Sequence, residues 1–237
     1  MKVQRQILFF SFVLFVFSFA YCQNKIQAEV TIQQLVNKQV LTIKKEIYYQ
    51  SNGRLVTHIL VPQEIFTITN SLGEVSSYLP SENTAWTTVS PNQSTKNEIL
   101  AIFSSNNRYD LGLSQLGFIL NKQEKDSTRI VKTFLPQQEH KEISKIIMVY
   151  QDDKPIYCGY FNKEGVENKK IYYQNYIAFP RFFFPQNITE ISVTAGNDTI
   201  IRRQIFSNIK YDSQATSKYF DFQIPDSAQT IEGIKIE

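Results

Sequence analysis

The chain is poor in the residues on which most catalytic and metal chemistry depends. Two histidines, two cysteines and one tryptophan occur in 237 residues. Histidine is the commonest general base and metal ligand. Here His58 and His140 lie far apart, with no carboxylate or thiol at ligand spacing, and they read as a strand-face residue and a loop residue. Glycine is scarce as well, with 8 residues, and no glycine-rich phosphate loop is present. The run Gly112-Leu113-Ser114-Gln115-Leu116-Gly117 is not a nucleophile elbow, because its second glycine stands one position too late for Gly-x-Ser-x-Gly. Asp152-Asp153 precedes Lys154-Pro155 between two apolar runs and reads as a solvated turn rather than an acid–base pair. No catalytic residue, metal-ligand set or cofactor motif emerges, and an enzyme is the last function to expect.

An excess of one charge is also lacking. Of the 25 basic residues, setting aside Lys2 and Arg5 leaves 23 against 22 acidic ones, which nearly cancel. A nucleic-acid partner needs a strongly basic surface, and Arg202-Arg203 in an apolar strand is too small a feature to supply one. Disulfides are excluded in turn. Cys22 falls at an expected cleavage point, which leaves Cys158 alone.

That cleavage point belongs to the one long hydrophobic run. Lys2 and Arg5 precede an apolar stretch over 7–20, about 14 residues against the roughly 20 needed to cross a bilayer. A basic start, a short apolar core and small residues before a cut are the layout of a secretory signal. Ala20 and Cys22 suit its −3 and −1 positions, so residues 1–22 read as a signal peptide and Gln23 as the mature start. A retained anchor is the competing reading. Lipidation of Cys22, giving an outer-membrane lipoprotein, is another, but Tyr21 occupies the place where that processing wants a small residue. The expected location is outside the cytoplasm, in the periplasm.

About 215 residues then remain, and 23–237 read as a single domain able to bury roughly 70% of its unfolded surface without staples. Its texture is β. Residues 23–40 fit a short helix or an edge strand equally. Ser51-Asn52-Gly53-Arg54 divides two apolar runs as a hairpin turn does. Phe66 and Ile68 alternate with Thr67 and Thr69, and Ile191, Val193 and Ala195 with Ser192 and Thr194. Phe220, Phe222 and Ile224 alternate likewise with Asp221 and Gln223. Such alternation places one set on a buried face and the other in water. Turn clusters at 70–73, 152–155, 162–165 and 196–198 are short enough to require antiparallel neighbours.

Two helices are expected in the middle. Thr95-Lys96-Asn97-Glu98 has the form of a capping box before an apolar run over 99–103. Asp110 is placed as the N-cap of a second helix carrying Leu111, Leu113, Leu116 and Phe118, although Gly112 and Gly117 each cost about 1 kcal/mol in a helix interior. The triplets beginning at Asn92, Asn187 and Asn197 match glycosylation acceptors, a pattern that matters only in a eukaryotic host. Phe182-Phe183-Phe184 is either an exposed aromatic patch or one buried ring with two along a sheet edge.

Several of these segments together resemble the LolA-like family of periplasmic outer-membrane lipoprotein carriers. Pro62 through Phe66 resembles the family's early strand ending at a proline. Gly73-Glu74 with Tyr78-Leu79-Pro80 resembles its glycine turn and Tyr-x-Pro strand end. A helical insertion over 95–116, and the closing Phe220-Asp221-Phe222-Gln223-Ile224-Pro225, also resemble family features. Where the carriers place an Arg-aromatic pair after the first proline, this chain has Ile65-Phe66-Thr67, and its Gly-to-Tyr spacing is one residue short.

The resemblance implies a mainly β, α+β fold: an incomplete antiparallel barrel, or strongly curved sheet, covered by helices. It implies a carrier of lipoprotein acyl chains, working between an inner-membrane donor and an outer-membrane acceptor, with no cofactor. Phe66, Ile68, Val75, Leu100, Phe103, Leu113 and Leu116 are expected to line its lipid-binding cavity. The alternatives are a lipid-binding module of the same fold, secreted or membrane-attached, and a structural envelope β protein whose apolar residues are fully packed. Fold alone does not choose among them.

Overall fold

The computed structural model describes residues 24–36, 39–105, 109–194, 196 and 198–231. The expected signal peptide, Cys22 and the mature start lie outside the described residues, as do Ala195 and Asn197. Strands dominate: β1 (Lys25–Val36), β2 (Gln39–Gln50), β3 (Leu55–Val61), β4 (Ile65–Thr69), β5 (Glu74–Leu79) and β6 (Thr84–Val89) form the first half. After a short helix α1 (Ile99–Ser104) come β7 (Phe118–Asp126), β8 (Arg129–Pro136), β9 (Lys145–Gln151), β10 (Lys154–Phe161) and β11 (Glu167–Ala178). β12 (Phe183–Val193), β13 (Thr199–Tyr211) and the two-residue β14 (Gln229–Thr230) complete the set.

All fourteen lie in one sheet, ordered β14-β6-β5-β4-β3-β2-β1-β13-β12-β11-β10-β9-β8-β7. Every pairing is antiparallel except that of β14 with β6. The sheet is open, as an incomplete barrel would be, with β7 and β14 at its two ends, but it is not strongly curled as the resemblance implies. The segment left open between helix and edge strand is β1, a full strand paired on both sides, with β2 and β13. The turns foreseen at 52–53, 70–73, 152–155, 162–165 and 196–198 each join neighbouring strands.

Opposed residues across a ladder share a face, so the register sorts the apolar residues onto two sides. Ile26, Ala28, Val30 and Ile32 of β1, Tyr49 of β2 and Leu55 of β3 belong to the large core, on the side we call the front. Tyr48 and Val56 point to the back and form a second, smaller core with Ala215 and Phe220.

Three expectations change here. Residues 110–117 are a succession of turns, not a helix: Leu111, Gly112 and Gly117 stand at φ 51°, 80° and 81°, outside helical space. Asp110 caps a turn instead, its carboxylate accepting the N–H groups of Gly112 and Ser114 at 2.9 and 3.1 Å. The capping box is not made either. Thr95 lies in a one-turn 3-10 segment, its hydroxyl donates to the Gly53 carbonyl at 2.8 Å, and Glu98 stands at the N-cap of α1 without a side-chain cap.

Nor is the Phe220–Ile224 run a strand. Lys218–Asp221 is a 3-10 turn within a strap, 212–222, that lies on the back of β2–β4. Its carbonyls are taken by side chains rather than by a ladder: Gln50 donates to the Phe220 carbonyl at 2.8 Å, and Arg54 to those of Phe220 and Phe222. Ile191 and Val193, expected on a buried face, are instead only half-buried and exposed, respectively, on the back.

Gly73 shows how tightly the β4–β5 turn is built. It stands at φ 83°, and a Cβ there would lie 2.1 Å from the Ser90 carbonyl oxygen. Gly112 has a similar φ of 80° but open space around it. Gly73→Ala therefore combines left-handed strain of about 1–3 kcal/mol with a backbone collision, whereas Gly112→Ala carries the strain alone. Urea unfolding of the two variants is expected to show the larger loss for Gly73→Ala; equal losses would refute the close approach.

Candidate ligand site beneath the front cover

The front face is covered by α1 and the turns at 110–117. Six residues are too few for a helix to be stable alone, so α1 exists because its apolar side is buried. Leu100, Ala101 and Phe103 are buried, and the Phe103 ring, 1% exposed, meets Tyr173, Tyr176 and Phe184 at centroid distances of 5.9, 6.3 and 5.7 Å. At its N-terminal side Glu98 faces Lys45 of β2, where burial lowers the lysine pKa and the Glu98 carboxylate opposes that effect. Beyond α1 the cover is tied down again. The Tyr150 hydroxyl donates to the Tyr109 carbonyl, as does Lys132 at 3.2 Å, with Lys132 also 4.4 Å above the Tyr150 ring.

Two hollows flank this cover. One, of about 220 Å³, opens between Ile99, Ile102, Leu111 and Leu113 on the cover and Cys158, Tyr160 and Tyr173 on the sheet. The other, of about 300 Å³, lies at the far end of α1 among Phe103, Tyr109, Tyr176, Phe179 and Phe182, with Asp153, Lys154 and Arg181 at its border. Their walls are largely aromatic and aliphatic. Burial pushes the Cys158 thiol up to about 12 and raises Tyr150, Tyr160, Tyr173 and Tyr176 well above the usual phenol range. Desolvation is the main cause in each case.

The seven residues named from sequence do not all meet. Leu100, Phe103 and Leu113 lie in the front core. Leu116 borders the smaller hollow but is 63% exposed. Val75, opposite Thr69 on the front register, is half-buried on β5. Phe66 and Ile68 face the back, opposite His58 and Val56. The residues that reasoning from sequence missed are Ile99, Ile102, Cys158, Tyr160 and Tyr173. The alternation of β10 and β11 marks the last three as same-face neighbours once the hairpin register is known.

Of the Phe182–Phe184 run, two rings are buried and Phe183 is exposed. His140 lies outside the strands, as expected, and its Nδ1 accepts from the Glu142 and Ile143 N–H groups.

His58, expected as a bland strand residue, does have carboxylate neighbours that spacing along the chain conceals. Its Nε2 donates to Glu64 at 2.8 Å and its Nδ1 lies 3.5 Å from Glu46, which also accepts from the Tyr48 hydroxyl at 2.5 Å. Its ring stacks on Phe66 at 4.0 Å, and Phe66 in turn stacks on Phe222 of the strap. The cluster fastens the strap to the back face. Among the described residues no three His, Cys, Asp or Glu side chains are placed to hold a metal ion.

This open sheet, with a short helix and turns over one face, is similar in fold to solved structures that share little sequence with this chain. The chain is similar in fold to the LolA superfamily protein NE2245 from Nitrosomonas europaea, at 11% identity, with 79% of this chain and 86% of that chain covered and a TM-score of 0.52. It is similar also to an outer membrane lipoprotein-sorting protein domain from Vibrio parahaemolyticus, at 12% identity, covering 84% and 90%, with a TM-score of 0.53. A DUF1329 family protein from Desulfovibrio piger matches at 14% identity, 84% and 90% coverage and a TM-score of 0.53. No family model matches the sequence, and no curated protein does.

The raised pKa values have two consequences. Cys158 should resist a thiol reagent such as DTNB in the native protein at pH 8 and react at once in urea; rapid native labelling would mean that the cover stands open. Because the folded state holds these protons more tightly, their contribution to stability is complete below the unfolded pKa values, 9.0 for the thiol and 10.0 for the phenols. It declines as pH rises beyond them. An alkaline titration followed by tyrosine absorbance and circular dichroism should show the buried phenols ionising together with unfolding. Ionisation of every tyrosine that follows Tyr21 without loss of structure contradicts the burial.

Proposed function

We propose that this protein is an exported carrier that shelters acyl chains of lipoproteins beneath its front cover and delivers them toward an outer membrane. The observation that carries the reading is the pair of apolar hollows on either side of α1, where a cover pinned by a few rings leaves space above a greasy sheet. Each is at or below the small end of ordinary ligand pockets, which run from roughly 300 Å³ upward. A fatty chain therefore fits by displacing part of the cover and joining the two. Sheltering a 16-carbon chain contributes on the order of 10 kcal/mol, enough to drive that displacement. The likeness in fold to a lipoprotein-sorting domain supports the same direction. In this reading residues 1–22 are a signal peptide, 23–237 form one domain, and the working compartment is the periplasm. An inner-membrane donor and an outer-membrane acceptor follow from the role.

A second reading keeps the site and changes the cargo. Ile65-Phe66-Thr67 lacks the arginine expected of a carrier, and Phe66 turns to the back, under the strap. A module that sequesters another lipid fits these features too.

The test uses Ile102, half-buried on α1 and lining the smaller hollow. Ile102→Trp fills that space from the cover side. The wild-type protein is expected to take up a fluorescent fatty acid, and the variant to lose at least about tenfold in affinity, a difference of about 1.4 kcal/mol, with an unchanged melting temperature. A wild-type protein that takes up no acyl chain sinks both readings. Uptake without release of labelled lipoprotein from spheroplasts decides for sequestration.

A further inference from the structure

We infer that the end of the sheet formed by the β1–β2 and β12–β13 hairpins is a docking surface for an anionic lipid bilayer. The inference goes beyond the acyl-carrier reading, because it concerns a surface outside both hollows.

Exposed apolar side chains gather at this end. On the back face the register places Leu35 opposite Val40 on one side and Ile201 on the other, and Ile201 opposite Ile191. Leu35, Val40, Ile201 and the neighbouring Val193 are all exposed, Val40 at 61%. On the front of the same hairpin Leu41, at 58%, and Ile43 are exposed too. Directly opposed side chains in a ladder stand about 5 Å apart, so these residues form a continuous apolar tip across four adjacent strands. Neither cover reaches it: the large core on the front ends at Ile32 of β1, and the strap occupies β2–β4 nearer their other ends.

Exposed cations stand behind the tip on β2 and β13, whereas Val193 at its β12 border lies beside the mixed charges of Lys141, Glu142, Lys163, Glu164 and Glu167. Lys44 and Arg203, opposite Thr31 and Gln33 on the back face, are both exposed and join no ion pair among the described residues. The sequence carries no acidic residue between Glu29 and Glu46, and between Glu190 and Asp212 only Asp198. An apolar tip fringed by lysine and arginine inserts its side chains at the headgroup boundary while the cations meet anionic lipid. A soluble protein partner of no stated charge has no use for that fringe, and a second copy of this chain would oppose cation to cation.

The experiment is co-sedimentation of the purified protein with vesicles of phosphatidylcholine alone and of phosphatidylcholine with phosphatidylglycerol. The wild-type protein should bind the anionic vesicles, more weakly as salt rises, and the neutral vesicles little. Val40→Ser with Leu41→Ser, at exposed sites and checked for folding by circular dichroism, should lower the partition coefficient by on the order of tenfold to a hundredfold. Lys44→Glu with Arg203→Glu should remove the preference for phosphatidylglycerol. Fatty-acid uptake without vesicles should be unchanged in both variants, which separates this surface from the hollows. Absence of wild-type binding to anionic vesicles overturns the inference. So do equal binding by the serine variant, and a dimer in sedimentation velocity that the serine variant abolishes.

Discussion

The site depends on how a helix of six residues is held against a sheet. So short a helix does not pay for its own nucleation, so α1 is helical only while Leu100 and Phe103 are docked. Phe103 is the main anchor, its ring set among Tyr173, Tyr176 and Phe184. The Thr95 hydroxyl on the Gly53 carbonyl tethers the entrance to the β2–β3 hairpin, and the Tyr109 carbonyl, taken by Tyr150 and Lys132, tethers the exit to β8 and β9. Beyond the second tether the chain runs through turns, with Leu116 exposed, rather than a second helix. The cover is thus fastened at points, and the hollows lie between the points.

An open sheet poses a second problem, since it has a back as well as a front. The chain solves it only in part. The strap covers β2–β4, with Phe222 stacked on Phe66, Phe66 on His58, and the imidazole bridged to Glu64. Its polar backbone is satisfied by Gln50 and Arg54, side chains that reach up from the strands it crosses. This explains why an alternating run such as Phe220 to Ile224 is no strand: its rings have the back face to pack on, and its carbonyls have donors already. Among the described residues no such strap covers the strands on the other side of β1, and their apolar residues at the hairpin end are exposed or half-buried.

Much of this was legible in the sequence, at the level where local chemistry decides. Gly53, Gly73 and the Asp152-Asp153 turn were readable because φ > 0 at those positions leaves few residue choices. The mainly β, antiparallel character followed from alternation and short turns. What alternation does not reveal is which side of the sheet is which. Phe66 and Leu55 are both apolar strand residues, yet an odd separation puts them on opposite faces. Of the strand residues named for the cavity, Phe66 and Ile68 therefore face the back while Val75 faces the front, and Leu100 and Phe103 lie on the buried side of α1. The His58 cluster was hidden for a related reason. Glu46 lies twelve residues away in sequence and directly opposite in the ladder.

The magnitudes bear on what such a cover is good for. A sheltered acyl chain contributes on the order of 10 kcal/mol, which by itself would hold cargo too long for a shuttle. Admitting the chain, however, requires moving side chains such as Phe103 and Leu100, each contributing about 1.5–3 kcal/mol through its burial. The two contributions oppose each other, and the net affinity is their difference. A deep, rigid, preformed cavity has no such offset and would retain its ligand. On the acyl-carrier proposal, a shallow pair of hollows under a point-fastened cover would hold an acyl chain and still release it.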